Sequence, residues 1–95
     1  MITRIVRMTF LPEKTANFLE IFNHSKEKIL AFKGCKQIEL LNDIHQSNVF
    51  FTHSVWENED HLEQYRQSEL FRNTWAKTKV LFQDKPQAWS LEKKP

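Results

Sequence analysis

The sequence predicts an α+β domain in which helices cover one face of an antiparallel sheet, in the order β-α-β-β-α(α)-β. Three observations lead there. Ile2 to Phe10 and Val49 to Trp56 are runs rich in β-branched and aromatic residues, as strands require. Between them Phe18, Ile21, Phe22, Ser25, Ile29 and Phe32 recur at steps of three and four, the stripe of an amphipathic helix. The 95 residues contain no linker, repeat or low-complexity stretch, so they make one domain, 1–95, with a frayed tail at 93–95.

The first strand alternates, with Val6, Met8 and Phe10 on one face and Thr3, Ile5, Arg7 and Thr9 on the other. Leu11-Pro12 ends it, because proline has no amide to donate yet is tolerated in a first helical turn. The helical period starts at Glu13, with Glu20, Lys26, Glu27 and Lys28 on the solvated side. Gly34, the only glycine, sits just past the stripe, where a left-handed helix cap is wanted. Cys35 to Leu41 reads as the second strand, and the polar run Asn42 to Asn48 as a hairpin loop into the third.

The third strand, Val49 to Trp56, stops at Glu57-Asn58-Glu59-Asp60. Asn58 is a good N-cap, and Glu59 and Asp60 put negative charge on the first helical turn. Ser68-Glu69 starts another helix, carrying Leu70, Phe71, Thr74 and Trp75. Gln83 to Pro86 is a turn, and Gln87 to Glu92 a short last strand with Trp89 and Leu91 on one face. Helices on one side of such a sheet make the ferredoxin-like arrangement.

That arrangement leaves one sheet face bare, yet both faces are partly apolar. Phe50 and Trp56 share one face of the third strand; Val49, Phe51, His53 and Val55 share the other, and Ile5 joins them from the first. A second copy of the sheet is the simplest cover, which predicts a homodimer.

Composition excludes several classes. The net charge of +2 is small and interspersed, so no nucleic-acid partner is expected. No apolar run reaches the roughly 20 residues of a membrane span. The start, MITRIVRMTF, lacks a signal-peptide pattern, and a single cysteine fits a reducing compartment, so a cytoplasmic location is expected. No glycine-rich phosphate loop is present, and His24, His45, His53 and His61 are not spaced as ligands, so neither a cofactor nor a metal is expected. Cys35 reads as a buried, inert thiol and His61 as an exposed first-turn residue.

The polar-tipped aromatics Trp56, Tyr65 and Trp75 are expected to converge between sheet and helices around a small aromatic ligand. Phe71, Phe22, Met8 and Ser54 complete the expected substrate-binding set, and Tyr65 is the candidate catalytic residue. The same aromatics suit a plain core equally well, and few titratable groups are expected in the pocket.

The segments FKGCKQIELLND and THSVWENEDHLEQYRQSELF resemble the antibiotic biosynthesis monooxygenase domain family. Gly34-Cys35 matches the Gly-Cys step that opens the family's second strand. Trp56-Glu57-Asn58-Glu59 matches the aromatic that closes the third strand before an acidic turn. Ser68-Glu69-Leu70-Phe71 matches its Ser-x-x-Phe step. The resemblance implies a dimeric α+β barrel and, in the oxygenases, cofactor-independent monooxygenation of a phenol or quinol whose own ring reduces dioxygen. It also leaves open a non-catalytic dimer that binds a small molecule, or an isomerase of the same fold.

The chain departs from the family at several positions. Tyr65 and Leu70 stand where many members have histidines. Val6, Trp56 and Trp75 stand where the heme-degrading branch has asparagine, tryptophan and an iron-ligating histidine, so heme degradation is not expected.

Overall fold

A computed structural model describes the chain from Met1 to Pro95. Its elements are β1 (Ile2–Thr9), α1 (Thr15–Leu30), β2 (Cys35–Asn42), β3 (Val49–Trp56), α2 (Glu59–Arg66), α3 (Glu69–Lys79) and β4 (Gln87–Leu91). The four strands form one antiparallel sheet in the order β2-β3-β1-β4. The predicted α+β, ferredoxin-like fold is thus the observed one. No helix is long and apolar enough to cross a membrane.

β1 stops one residue before Phe10, which instead forms an isolated bridge with Phe82. The chain leaving α3 is sewn there, with Leu11 N–H donating to the Leu81 carbonyl (2.9 Å) and Gln83 N–H to that of Thr9 (2.8 Å). The helix also begins later than Glu13. Pro12–Lys14 is a 3₁₀ turn, since proline fixes φ and the first bonds close i to i+3, Lys14 N–H to Leu11 O at 2.8 Å. From Thr15 the stripe behaves as its spacing requires: Phe18, Phe22, Ser25 and Ile29 are buried.

Gly34 does not cap α1, which ends at Leu30 with Ala31 N–H bonded to Glu27 O. It is the third residue of a β-turn closed by Cys35 N–H on Phe32 O (3.0 Å), and its φ of +89° is the left-handed geometry that position needs. A Cβ at Gly34 would also overlap Cβ and Cγ of His61. His61 is therefore half-buried, not exposed, and its Nδ1 is buried without a hydrogen-bond partner.

The caps expected for the later helices form. Asn58 accepts from His61 N–H (2.9 Å) and Ser68 from Phe71 N–H (3.1 Å), each satisfying a donor the helix leaves free. β2 runs on to Asn42 and β4 stops at Leu91.

The core lies between sheet and helices in two clusters. One gathers Met8, Phe10, Phe18, Phe22, Phe50 and Leu81; the other gathers Ile29, Trp56 and Leu62. On the far face, register lines up Glu39, His53, Ile5 and Trp89 in one row and Gln37, Val55, Thr3 and Leu91 in the next. Trp89, Leu91 and Leu41 are exposed there, and Ile5, Phe51 and Val55 half-exposed. His53 Nδ1 lies 3.1 Å from Glu39 Oε1 without hydrogen-bonding alignment. Val49, expected on this bare face, is buried within the chain. The hairpin loop folds back on the start of β3, where Asp43 N–H and Asn42 Nδ2 both donate to the Val49 carbonyl.

Candidate functional site

A cavity of about 330 Å³ opens between the sheet and the helices, within the size range of small-molecule sites. Its floor is the helix-facing side of β1 and β3, and its walls come from α1, α2 and α3. Every residue of the expected substrate-binding set lines it: Trp56, Trp75, Phe71, Phe22, Met8 and Ser54, with Tyr65.

Each is placed by a local rule. Period-two alternation puts Met8 from β1 and Ser54 and Trp56 from β3 on the helix side. Trp56 is 1% exposed, and its indole N–H donates to Ser54 Oγ at 3.0 Å, so it belongs to core and cavity wall at once. Tyr65 sits in the last turn of α2, stacked on Trp56 with centroids 5.0 Å apart and edge-on to Phe32 and Phe71. Ser68 fixes the corner that follows. Its hydroxyl donates to Tyr65 O (2.6 Å) while accepting from Phe71 N–H, so one side chain sets both aromatics against the cavity. Phe71 in turn stacks on Trp75, with planes 10° apart, and Trp75 meets Phe82 edge-on.

Few titratable groups are expected in the cavity, and those that enter it include two cations. Arg4 and Arg66 both line it. Arg4 stands opposite Ser54 in the β1–β3 register and opposite Ser90 in the β1–β4 register, and its Nη1 donates to Ser90 Oγ at 2.9 Å. Burial, then the neighbouring Arg66 charge, lowers the Arg4 pKa, and Glu63 acts the other way. Arg66 is paired with Glu63, Nη1 to Oε2 at 3.2 Å. The alternation that places Val6 and Met8 inside places Arg4 inside as well; weighing β1 by its apolar residues alone hides it. Arg66 carries no such signal, because it extends from the exposed end of α2.

Burial, and secondarily the Cys35 thiol, pushes the Tyr65 pKa above the usual tyrosine value, so its hydroxyl stays protonated. Cys35 itself is half-buried rather than buried. Burial raises its pKa against the opposing effect of a contact to the Gln37 carbonyl at 3.6 Å, which leaves it a thiol. Two of the cavity's other hydroxyls are committed within their helices, Ser25 to Ile21 O (2.8 Å) and Thr78 to Thr74 O (2.7 Å), while those of Thr52 and Thr74 make no such bond. No histidine lines the cavity, and nowhere do three His, Cys, Asp or Glu side chains gather as a metal would need. The chemistry on offer is stacking surface, a neutral phenol donor and a cationic end. β4, exposed along its whole length, contributes Ala88 to the lining.

No curated protein matches the chain. Among solved structures, an antibiotic biosynthesis monooxygenase superimposes with a TM-score of 0.94 at 17% identity, covering 100% of both chains. A conserved protein from Methanosarcina mazei gives 0.92 at 19% identity, covering 99% of this chain and 94% of its own. A protein from Pseudomonas aeruginosa gives 0.87 at 22% identity, with coverage of 99% and 94%. At such identities these likenesses establish the fold. The family model described as antibiotic biosynthesis monooxygenase matches residues 1–77, from β1 through most of α3, and the chain belongs to that family.

Proposed function

We propose that the chain is a cofactor-independent monooxygenase of a small, electron-rich phenol or quinol bound in the cavity. The observation that carries this is the aromatic wall itself: Trp56, Tyr65, Phe71 and Trp75 lie edge-on or stacked in sequence around a space of about 330 Å³. A flat ring stacks against such a wall, each aromatic pair adding roughly 0.5–1.5 kcal/mol beyond its buried area.

The reaction asks little of the protein beyond binding and desolvation. Where the substrate has a CH₂ between aromatic rings, conjugated through the ring with its oxygen, loss of the CH₂ proton to solvent gives a delocalised carbanion that passes electrons to dioxygen. The CH₂ becomes C=O, one oxygen atom enters the product and the other leaves as water, with all four electrons supplied by the substrate. Tyr65, held protonated by its burial, donates a hydrogen bond to the substrate oxygen and favours its ionised form.

The working unit in this reading is a homodimer in the cytoplasm. The bare outer face, with Leu41, Trp89 and Leu91 exposed and Phe51 and Val55 half-exposed, supports a sheet-on-sheet pairing. The single unpaired Cys35 supports a reducing setting.

The test is oxygen uptake with a panel of naphthols, anthrones and quinols, no cofactor added. Uptake above the uncatalysed rate with at least one member is the expected result. Quenching of tryptophan fluorescence on binding without any uptake would make the chain a small-molecule-binding protein instead.

A further inference from the structure

The helix-facing residues of the sheet fall into cross-strand rows, and one row runs Ile38, Ser54, Arg4, Ser90. Arg4 is the only charged member of that row, and the neighbouring row, Leu40, Thr52, Val6, Ala88, has none. A guanidinium offers five N–H donors. Arg4 makes one hydrogen bond, to Ser90, and forms no ion pair with any carboxylate of the chain. Arg66 brings a second cation to the same cavity, and the one acid that acts on both, Glu63, is bonded to Arg66 and to the Gln67 side-chain amide (3.0 Å). Two cations against one carboxylate leave an unmatched positive charge beside an aromatic wall. A half-buried cation is costly unless something negative meets it.

We infer that Arg4 is an oxyanion subsite of the cavity, and that the ligand is an aromatic acid: a flat apolar body carrying a carboxylate or an ionised phenol at the edge that faces β1. This rests on the aromatic-cavity reading and narrows it to anionic substrates. Trp56 and Trp75 take the ring, while Arg4 takes the oxygen with the N–H groups that Ser90 leaves free. Arg66, already committed to Glu63, adds long-range attraction. A planar guanidinium is suited to this, since it can meet a carboxylate with two parallel hydrogen bonds and a phenolate with one.

The experiment is calorimetric titration of the wild-type chain with 2-naphthoate, its neutral methyl ester and 2-naphthol. Naphthoate should bind at least about tenfold more tightly than the ester, equivalent to about 1.4 kcal/mol. That preference should shrink as salt rises while the affinity of the ester holds. Arg4→Gln should bring naphthoate down to the level of the ester, Arg4→Lys should keep part of the preference, and Arg66→Gln should reduce it less than Arg4→Gln. With naphthol, a bound-state pKa lowered in wild type and restored in Arg4→Gln marks a phenolate subsite; preference for naphthoate alone marks a carboxylate subsite. Equal affinity for acid and ester together with an unshifted naphthol pKa in wild type overturns the inference with no variant needed, as does a preference or a pKa shift that survives in folded Arg4→Gln. If the ester binds in that case, the cavity reading stands and only the anion subsite falls. If no probe binds, both fall. Failure of oxygen uptake bears on the proposed reaction alone.

Discussion

The phenol of Tyr65 lies stacked on the indole of Trp56, centroids 5.0 Å apart and planes inclined by 27°. The two residues come from different elements, the end of β3 and the last turn of α2, and they differ in what they can lose. Trp56 is 1% exposed and carries part of the core. Tyr65 is half-buried and lines the cavity. Trp56→Ala should cost about 3–5 kcal/mol of stability, too much for a clean binding test in a small domain. Tyr65→Phe keeps the stack and removes only the hydroxyl. It should lower kcat by about 10–100-fold while KM stays within about threefold, because help with developing charge is lost and stacking survives. Steady-state oxygen uptake separates the two constants.

Tyr65 is the only tyrosine of the chain, so the absorbance of tyrosinate reports on it alone. Its pKa is raised in the fold, chiefly by burial. The native state therefore holds that proton more tightly than the unfolded chain, whose tyrosine titrates near 10. The contribution of Tyr65 to stability is fully present below that value and is lost as pH rises through the native pKa. Titration should show no tyrosinate at pH 10 in the folded protein, and any appearance above it should coincide with loss of the far-UV signal.

Gly34 is constrained twice, by a φ of +89° and by the approach of His61. Gly34→Ala should destabilise the chain by about 1–3 kcal/mol, read as a lower urea midpoint with an unchanged slope. Lys33→Ala, one residue earlier in the same turn and exposed, should leave the midpoint in place.

Phe51 lies midway across the outer face, between Leu41 of β2 and Arg7 of β1. In the proposed homodimer a carboxylate there would be desolvated without a partner, so Phe51→Asp should dissociate it. Sedimentation at micromolar concentration should give a dimer for wild type and a monomer for the variant. A monomeric wild type would sink the dimer.

Much of this architecture is local and therefore legible in the residues. The caps at Asn58 and Ser68 and the stripe of α1 depend on neighbours a few positions away. What was hidden depends on distant partners. Gly34 looks like a helix cap until His61, 27 positions on, is seen against it. Val49 looks like part of the bare face until the hairpin loop closes on it. Arg4 was legible by parity, yet its meaning comes from Ser90 and Arg66, which the fold brings together from the far end of the chain and from α2.

In the proposed reaction one atom of dioxygen enters an aromatic substrate held in this cavity. The most direct measurement is turnover of the best panel substrate under heavy-isotope dioxygen, followed by mass spectrometry of the product. One labelled oxygen atom per product molecule, one dioxygen consumed per turnover and no product without oxygen are expected of this reaction. An unlabelled product, or product formed anaerobically at the same rate, would contradict it.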